Sequence, residues 1–191
     1  MRLRALLLAA LLMSTSAAAQ PPPTPAEIQG VRKVYGEALV SERAIPRGLA
    51  EVERLRQRSR GAHATATLAA YRGAFTVLRA KHGIWPPDRL RHTRNGLAVL
   101  DSVVAAHPRH AEARYLRLMS CYYLPRLFGR GWSVRDDFAA LARLLPSVRG
   151  DYPPDLYQAI VRFVMEHGHP SPAQRAALEA SLQASLVAAD G

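Results

Sequence analysis

Arg94 to Pro125 reads RNGLAVLDSVVAAHPRHAEARYLRLMSCYYLP: an amphipathic helix, a proline-marked turn and a second amphipathic helix. Leu97, Leu100 and Val104 recur at helical spacing in the first half, and Val99 and Val103 widen the stripe. In the second half Tyr115, Leu118, Met119 and Tyr122 fall at i, i+3, i+4 and i+7, which is one helical face. Pro108 lacks the amide donor that a continuing helix needs, so the first helix must stop before it. Two helices on so short a link lie antiparallel, and each keeps a flank that only further helices can cover.

The rest of the chain supplies such helices. Ile28, Val31, Tyr35 and Leu39 make a stripe over about Ala26 to Ser41. Leu49, Val52 and Leu55 make another from Pro46, a good first-turn residue, to about Ser59. A third runs from Ala62 to Lys81, with Leu68, Tyr71, Phe75 and Leu78 apolar and with Ala70, Gly73 and Ala74 small enough for a close neighbour. After the glycine pair of FGRG, Ser133 is a sound N-cap for a helix carrying Val134, Phe138, Leu141 and Leu145. Leu156, Ile160, Phe163 and Val164 mark a seventh helix, and Leu178, Leu182 and Leu186 an eighth. Nothing alternates with period two over a useful length. The expected fold is all-α, an α–α superhelix of seven or eight antiparallel helices.

The segment GLAVLDSVVAAHPRHAEA resembles the join between two tetratricopeptide repeats. Gly96 stands at the small position, Leu100 and Val103 form the apolar pair, and Pro108 closes the unit before an Ala-rich helix start. The next helix departs from that pattern, with Arg114, Arg117 and Leu118 where the repeat has a large aromatic, a Leu and a Gly. A wider block, residues 69 to 145, is similar to exported bacterial proteins of unknown function through AYRGAFTVLRAKH, EARYLRL and YLPRLFGRGWSVRDDF. The resemblance implies a helical-repeat fold and no particular activity.

Residues 1–19 read as a secretory leader: Arg2 and Arg4, an apolar run from Ala5 to Met13, and Ala17-Ala18-Ala19 as the cleavage site. Residues 20–25, QPPPTP, form a Pro-rich linker, and 26–191 one tetratricopeptide-like domain. No later stretch is long and apolar enough to span a bilayer, so the mature chain is expected to be periplasmic or secreted. Cys121 is the lone cysteine, which excludes an internal disulfide; its place beside the apolar face of a helix points to a buried inert thiol, with a reactive or intermolecular thiol as the alternative. The 26 basic residues against 15 acidic ones include only two lysines, Lys33 and Lys81. Such a balance favours anionic partners, although export argues against nucleic acid.

Catalytic motifs are missing. There is no G-x-S-x-G, no phosphate loop and no H-E-x-x-H, and the histidine pairs His107/His110 and His167/His169 bring no recognised third ligand. The chain is therefore read as no enzyme, with no cofactor and no metal. Its best polar constellation is Glu112, Arg114 and Arg117 with Asp136 and Asp137. Arg114 and Arg117 share one side of their helix. They either join the acids in an interhelix ion-pair network or grip a carboxylate in a groove. Tyr71 and Trp132 are the aromatic candidates for a partner surface. The leading expectation is a module that binds another exported protein. The alternative is a binder of a small anionic ligand or envelope polyanion.

Overall fold

The computed structural model describes residues 21–187, so the leader, Gln20 and residues 188–191 lie outside it. The fold is all-α. Eight helices follow in order: α1 (Pro25–Val40), α2 (Ala44–Arg58), α3 (Ala62–His82), α4 (Pro86–Ala106), α5 (Ala111–Tyr122), α6 (Gly131–Leu144), α7 (Pro154–His167) and α8 (Pro172–Val187). Single 3-10 turns at Arg126–Phe128, Leu145–Ser147 and Arg149–Asp151 interrupt the connections. Among the described residues there is no strand, and no helix is long and apolar enough to cross a membrane.

Helix starts follow local chemistry. Thr24 caps α1 in a reciprocal box with Glu27, its hydroxyl taking the Glu27 amide and the Glu27 carboxylate taking its own. The Pro-rich linker therefore ends a little earlier than its composition suggests, since Thr24 and Pro25 already belong to the helix. That amide, with the Arg58 guanidinium, holds the Glu27 carboxyl down at about 2. Pro86 and Pro87 begin α4, where a missing amide donor costs nothing.

The start of α6 differs from the sequence expectation. It begins at Gly131 behind an Arg130 cap, and Ser133 is buried inside the helix with its hydroxyl bonded back to the Arg130 carbonyl. Only Gly129 of the FGRG pair takes the left-handed conformation, at φ +64°, and that single residue turns the chain. Asp136 and Asp137 consequently lie beyond the first turn, so partners on other helices rather than the α6 dipole hold them.

Packing is closest between α3 and α4. A methyl group added at Gly96 would stand 2.6 Å from the Gly73 carbonyl oxygen, so the two glycines let the backbones touch. Phe75 lies against Gly48 of α2 in the same way. The core has two parts. One gathers α1 to α4, with Leu55, Leu68, Phe75 and Leu100 fully buried. The other gathers α6 to α8 around Leu141, Tyr157, Ile160 and Leu178.

Helix α5 serves both. Ala113, Leu116 and Cys121 pack into the first core, Ala111 and Leu118 into the second. It is thus buried nearly all round, and its sequence stripe is corrected: Tyr115, Met119 and Tyr122 are only half-buried, while Glu112, Arg114 and Arg117 are buried. A similar shift affects α7, where Tyr157 and Val161 complete the buried face and Leu156 and Phe163 are half-buried at its edge.

Candidate functional site

The polar interior has two clusters, both founded on α5. In the first, Arg117 and Arg114 face α6. Arg117 bonds both Asp137 oxygens, Nε to Oδ2 at 2.8 Å and Nη2 to Oδ1 at 2.7 Å, and reaches Asp101 of α4 at 3.3 Å. Arg114 donates to Asp136 and Asp137, each at 2.9 Å, and to the Pro108 carbonyl oxygen at 2.6 Å. Arg130 completes the set with 2.6 Å to Asp101. Three guanidiniums thus meet three carboxylates. Burial works against the charge of Arg117, but Asp137 and Asp101 more than offset it and raise its pKa. Burial also pushes the Asp137 carboxyl up against the pull of Arg117 and Arg114. At the more exposed Asp136 the two arginines win and its pKa falls. Trp132 lies over Arg117 and Arg130, 5.7 and 5.3 Å from ring centre to guanidinium carbon, and stays half-exposed.

Glu112 is not in this cluster. It turns the other way, to α1 and α3, where Arg32 Nε and Nη2 each donate to it at 2.8 Å and the Tyr71 hydroxyl donates at 2.7 Å. Its amide donates to the Tyr152 hydroxyl at 3.1 Å. Glu112 overcomes the burial of Arg32 and raises its pKa, while burial, first, and the Glu112 charge hold Tyr71 protonated. Tyr71 is buried with its hydroxyl committed, so it presents nothing to a partner. Arg32, Asp101, Arg130 and Tyr152 escaped the sequence reading. Partners such as Arg32 and Glu112 are 80 residues apart, and no local pattern pairs them.

The histidines near Pro108 also have structural work. His110 stacks on His63 with ring centres 4.3 Å apart and caps α5, its Nδ1 accepting the Ala113 amide at 3.3 Å. Nε2 then carries the proton and donates to Thr67 Oγ1 at 3.0 Å, and the Thr67 hydroxyl donates to the His63 carbonyl oxygen at 3.1 Å. Burial and then His63 lower the His110 pKa. Among the described residues no three His, Cys, Asp or Glu side chains converge as metal ligands.

A groove of about 760 Å³ opens where α1, α3 and α5 end and α4 begins. Buried Val77 and Leu78 lie at its floor, with Met119 and Leu124 beside them, and Leu90, Tyr123 and Leu127 wall it. Leu39 belongs to this wall. The α1 stripe runs past the core, leaving Leu39 39% exposed at the groove. Lys81 and Arg89 are the charged residues that line it. Lys81 Nζ donates to the Leu39 carbonyl oxygen at 2.6 Å and Arg89 Nε to that of Ala80 at 3.1 Å. Each cation thereby satisfies a carbonyl at the end of a helix, where positive charge is favoured. Sequence reading missed the groove, because its residues come from four segments whose ends meet only in the fold.

No family model, characterised protein or solved structure matches this chain.

Proposed function

We propose that the protein is an exported helical binding module without chemistry of its own, tetratricopeptide-like in its centre, and that its guest enters the groove where α1, α3 and α5 end. The carrying observation is that groove: about 760 Å³ of apolar space with a buried floor and exposed apolar walls. Its volume lies within the ~300–1,000 Å³ of small-molecule sites. A protein face instead covers about 800 Å² on each partner. A small apolar guest therefore fits better than a broad protein contact. Export rests on the leader pattern in residues 1–19.

The site also moves. Arg114 and Arg117 are matched by Asp136, Asp137 and Asp101, which leaves little to grip a ligand carboxylate. Tyr71 is buried. The groove takes over the binding role expected of these residues. A protein segment, the leading expectation from the sequence, becomes the second reading, because Leu127 in the groove wall, and Ile84 and Trp85 just ahead of the lining Pro86, stand exposed and would bury apolar area against it.

Titrating the mature protein with the neutral dye N-phenyl-1-naphthylamine tests the first reading. Saturable binding at one site, lost in a folded Ser120→Trp variant that fills the groove, is expected. Dye binding that never saturates, or that ignores the substitution, overturns it. Capture from an envelope fraction by the wild type but not by Leu127→Asp would favour the second.

A further inference from the structure

We infer that the groove takes a single-chain amphiphile with a carboxylate head, the apolar chain lying on the floor and the head at the Lys81–Arg89 rim. This rests on the groove being the binding site. No Asp or Glu lines the groove, and its charge is all positive. The nearest acids in sequence are already engaged, Asp88 by Arg91 at 2.9 Å and Glu37 by Arg47.

The two cations are held in place for a second task. The bond from Lys81 to the end of α1 and that from Arg89 to the end of α3 fix both stems. Each spends only part of its donor capacity there: the remaining ammonium protons of Lys81 and the terminal N–H groups of Arg89 have no protein acceptor among the described residues. Tyr35 and Ser120 also line the groove, and among the described residues neither hydroxyl makes a side-chain hydrogen bond to protein. A head group would thus meet two fixed cations and hydroxyl donors beside a surface that accepts hydrocarbon.

That arrangement selects by charge. A carboxylate gains charge-assisted hydrogen bonds, which are about twice as strong as neutral ones. An alcohol of the same chain length gains only its burial, and a quaternary ammonium meets like charge. The groove is walled by Leu90, Tyr123 and Leu127 rather than flat, so it suits a single molecule rather than a membrane surface.

Calorimetric titration of the mature protein with dodecanoate, dodecanol and dodecyltrimethylammonium, all below micelle-forming concentrations, separates the outcomes. Dodecanoate is expected to bind at one site at least about tenfold tighter than dodecanol, with the ammonium weakest. Raising salt from ~0.05 to ~0.5 M should weaken dodecanoate and leave dodecanol unchanged. A folded Lys81→Gln/Arg89→Gln variant should bind the acid and the alcohol alike. Equal affinity of the wild type for acid and alcohol, or a salt-insensitive preference, overturns the carboxylate assignment and leaves the groove as a site for apolar guests. Failure of all three to bind overturns both.

Discussion

Arg117 and Asp137 meet fork to fork across the α5–α6 contact, two hydrogen bonds of 2.8 and 2.7 Å, with the carboxylate wholly out of solvent. The pairing explains how α5 can carry charges and still sit between two cores. An arginine fork is planar and presents its donors at the spacing of a carboxylate, so both buried charges are satisfied at once.

Breaking that pair on one side leaves the other charge short of partners: without Arg117 the wholly buried Asp137 keeps only Arg114, at 2.9 Å. Arg117→Ala should cost ~3–5 kcal/mol, the range for a buried pair that loses one partner. Asp137→Ala should cost less than Arg117→Ala, because Asp136 and Asp101 still hold the two arginines. Replacing the pair together, Arg117→Met with Asp137→Leu, should recover much of the loss. Urea unfolding of all three variants measures this, and additive losses in the double variant would contradict it.

The second cluster should behave with a different grading. Tyr71→Phe removes one bond to Glu112 and keeps the Arg32 fork, so a loss of ~1.5–3 kcal/mol is expected, as for a hydrogen bond to a charged group. Glu112→Ala leaves Arg32 half-buried without its acid and the Tyr71 hydroxyl without an acceptor, and should cost more. Equal losses in thermal melts would mean that Arg32 finds another partner.

Much of the fold was legible because helical periodicity and punctuation agree. Gly83 ends α3, Asp88 lies in the first turn of α4, and the stripe of Leu68, Tyr71, Phe75 and Leu78 is buried in full. Periodicity failed at α5, since a helix flanked by two cores has no single apolar face to display. The site was less legible. Arg114, Arg117, Asp136 and Asp137 could be brought together on paper because one short loop joins their helices. Glu112 looked like a member by proximity in sequence, yet the α-helical turn aims it at Arg32. The groove depends on where four helix ends coincide, which no local pattern encodes.

The close approach of α3 and α4 gives a prediction with an unusual sign. In an exposed helix interior Gly→Ala gains up to ~1 kcal/mol from propensity, and Gly30→Ala in α1, where nothing lies within 4 Å, should do so. At Gly96 the new methyl group would lie 2.6 Å from the Gly73 carbonyl oxygen and 2.8 Å from the Val77 amide nitrogen, backbone atoms that cannot step aside. Gly96→Ala should therefore destabilise by ~1–3 kcal/mol, the usual cost of overpacking. Opposite signs for the two substitutions in parallel melts are the expected outcome.

The last prediction is a pH dependence traced to His110. Its Nδ1 accepts the Ala113 amide as the cap of α5 and its Nε2 proton goes to Thr67, so the folded state uses the neutral ring. A proton added at Nδ1 would cancel the cap and place positive charge at the positive end of the α5 dipole, against the stacked His63 ring. The folded pKa accordingly lies below the ordinary imidazole value of 6.5, while the unfolded ring titrates near that value. The unfolded chain then binds more protons through that interval. The stability that His110 contributes is complete above 6.5 and is lost as pH falls through the lowered folded value. His110→Asn keeps a capping side chain that does not titrate, and it should flatten the dependence of stability on pH below 6.5. Glu27, held at about 2, acts in the same direction but only below the ordinary glutamate value of 4.5, so the two windows separate. Unfolding free energies of wild type and His110→Asn measured from pH 7 to pH 5 decide it, with the expected result a slope in the wild type that the variant lacks.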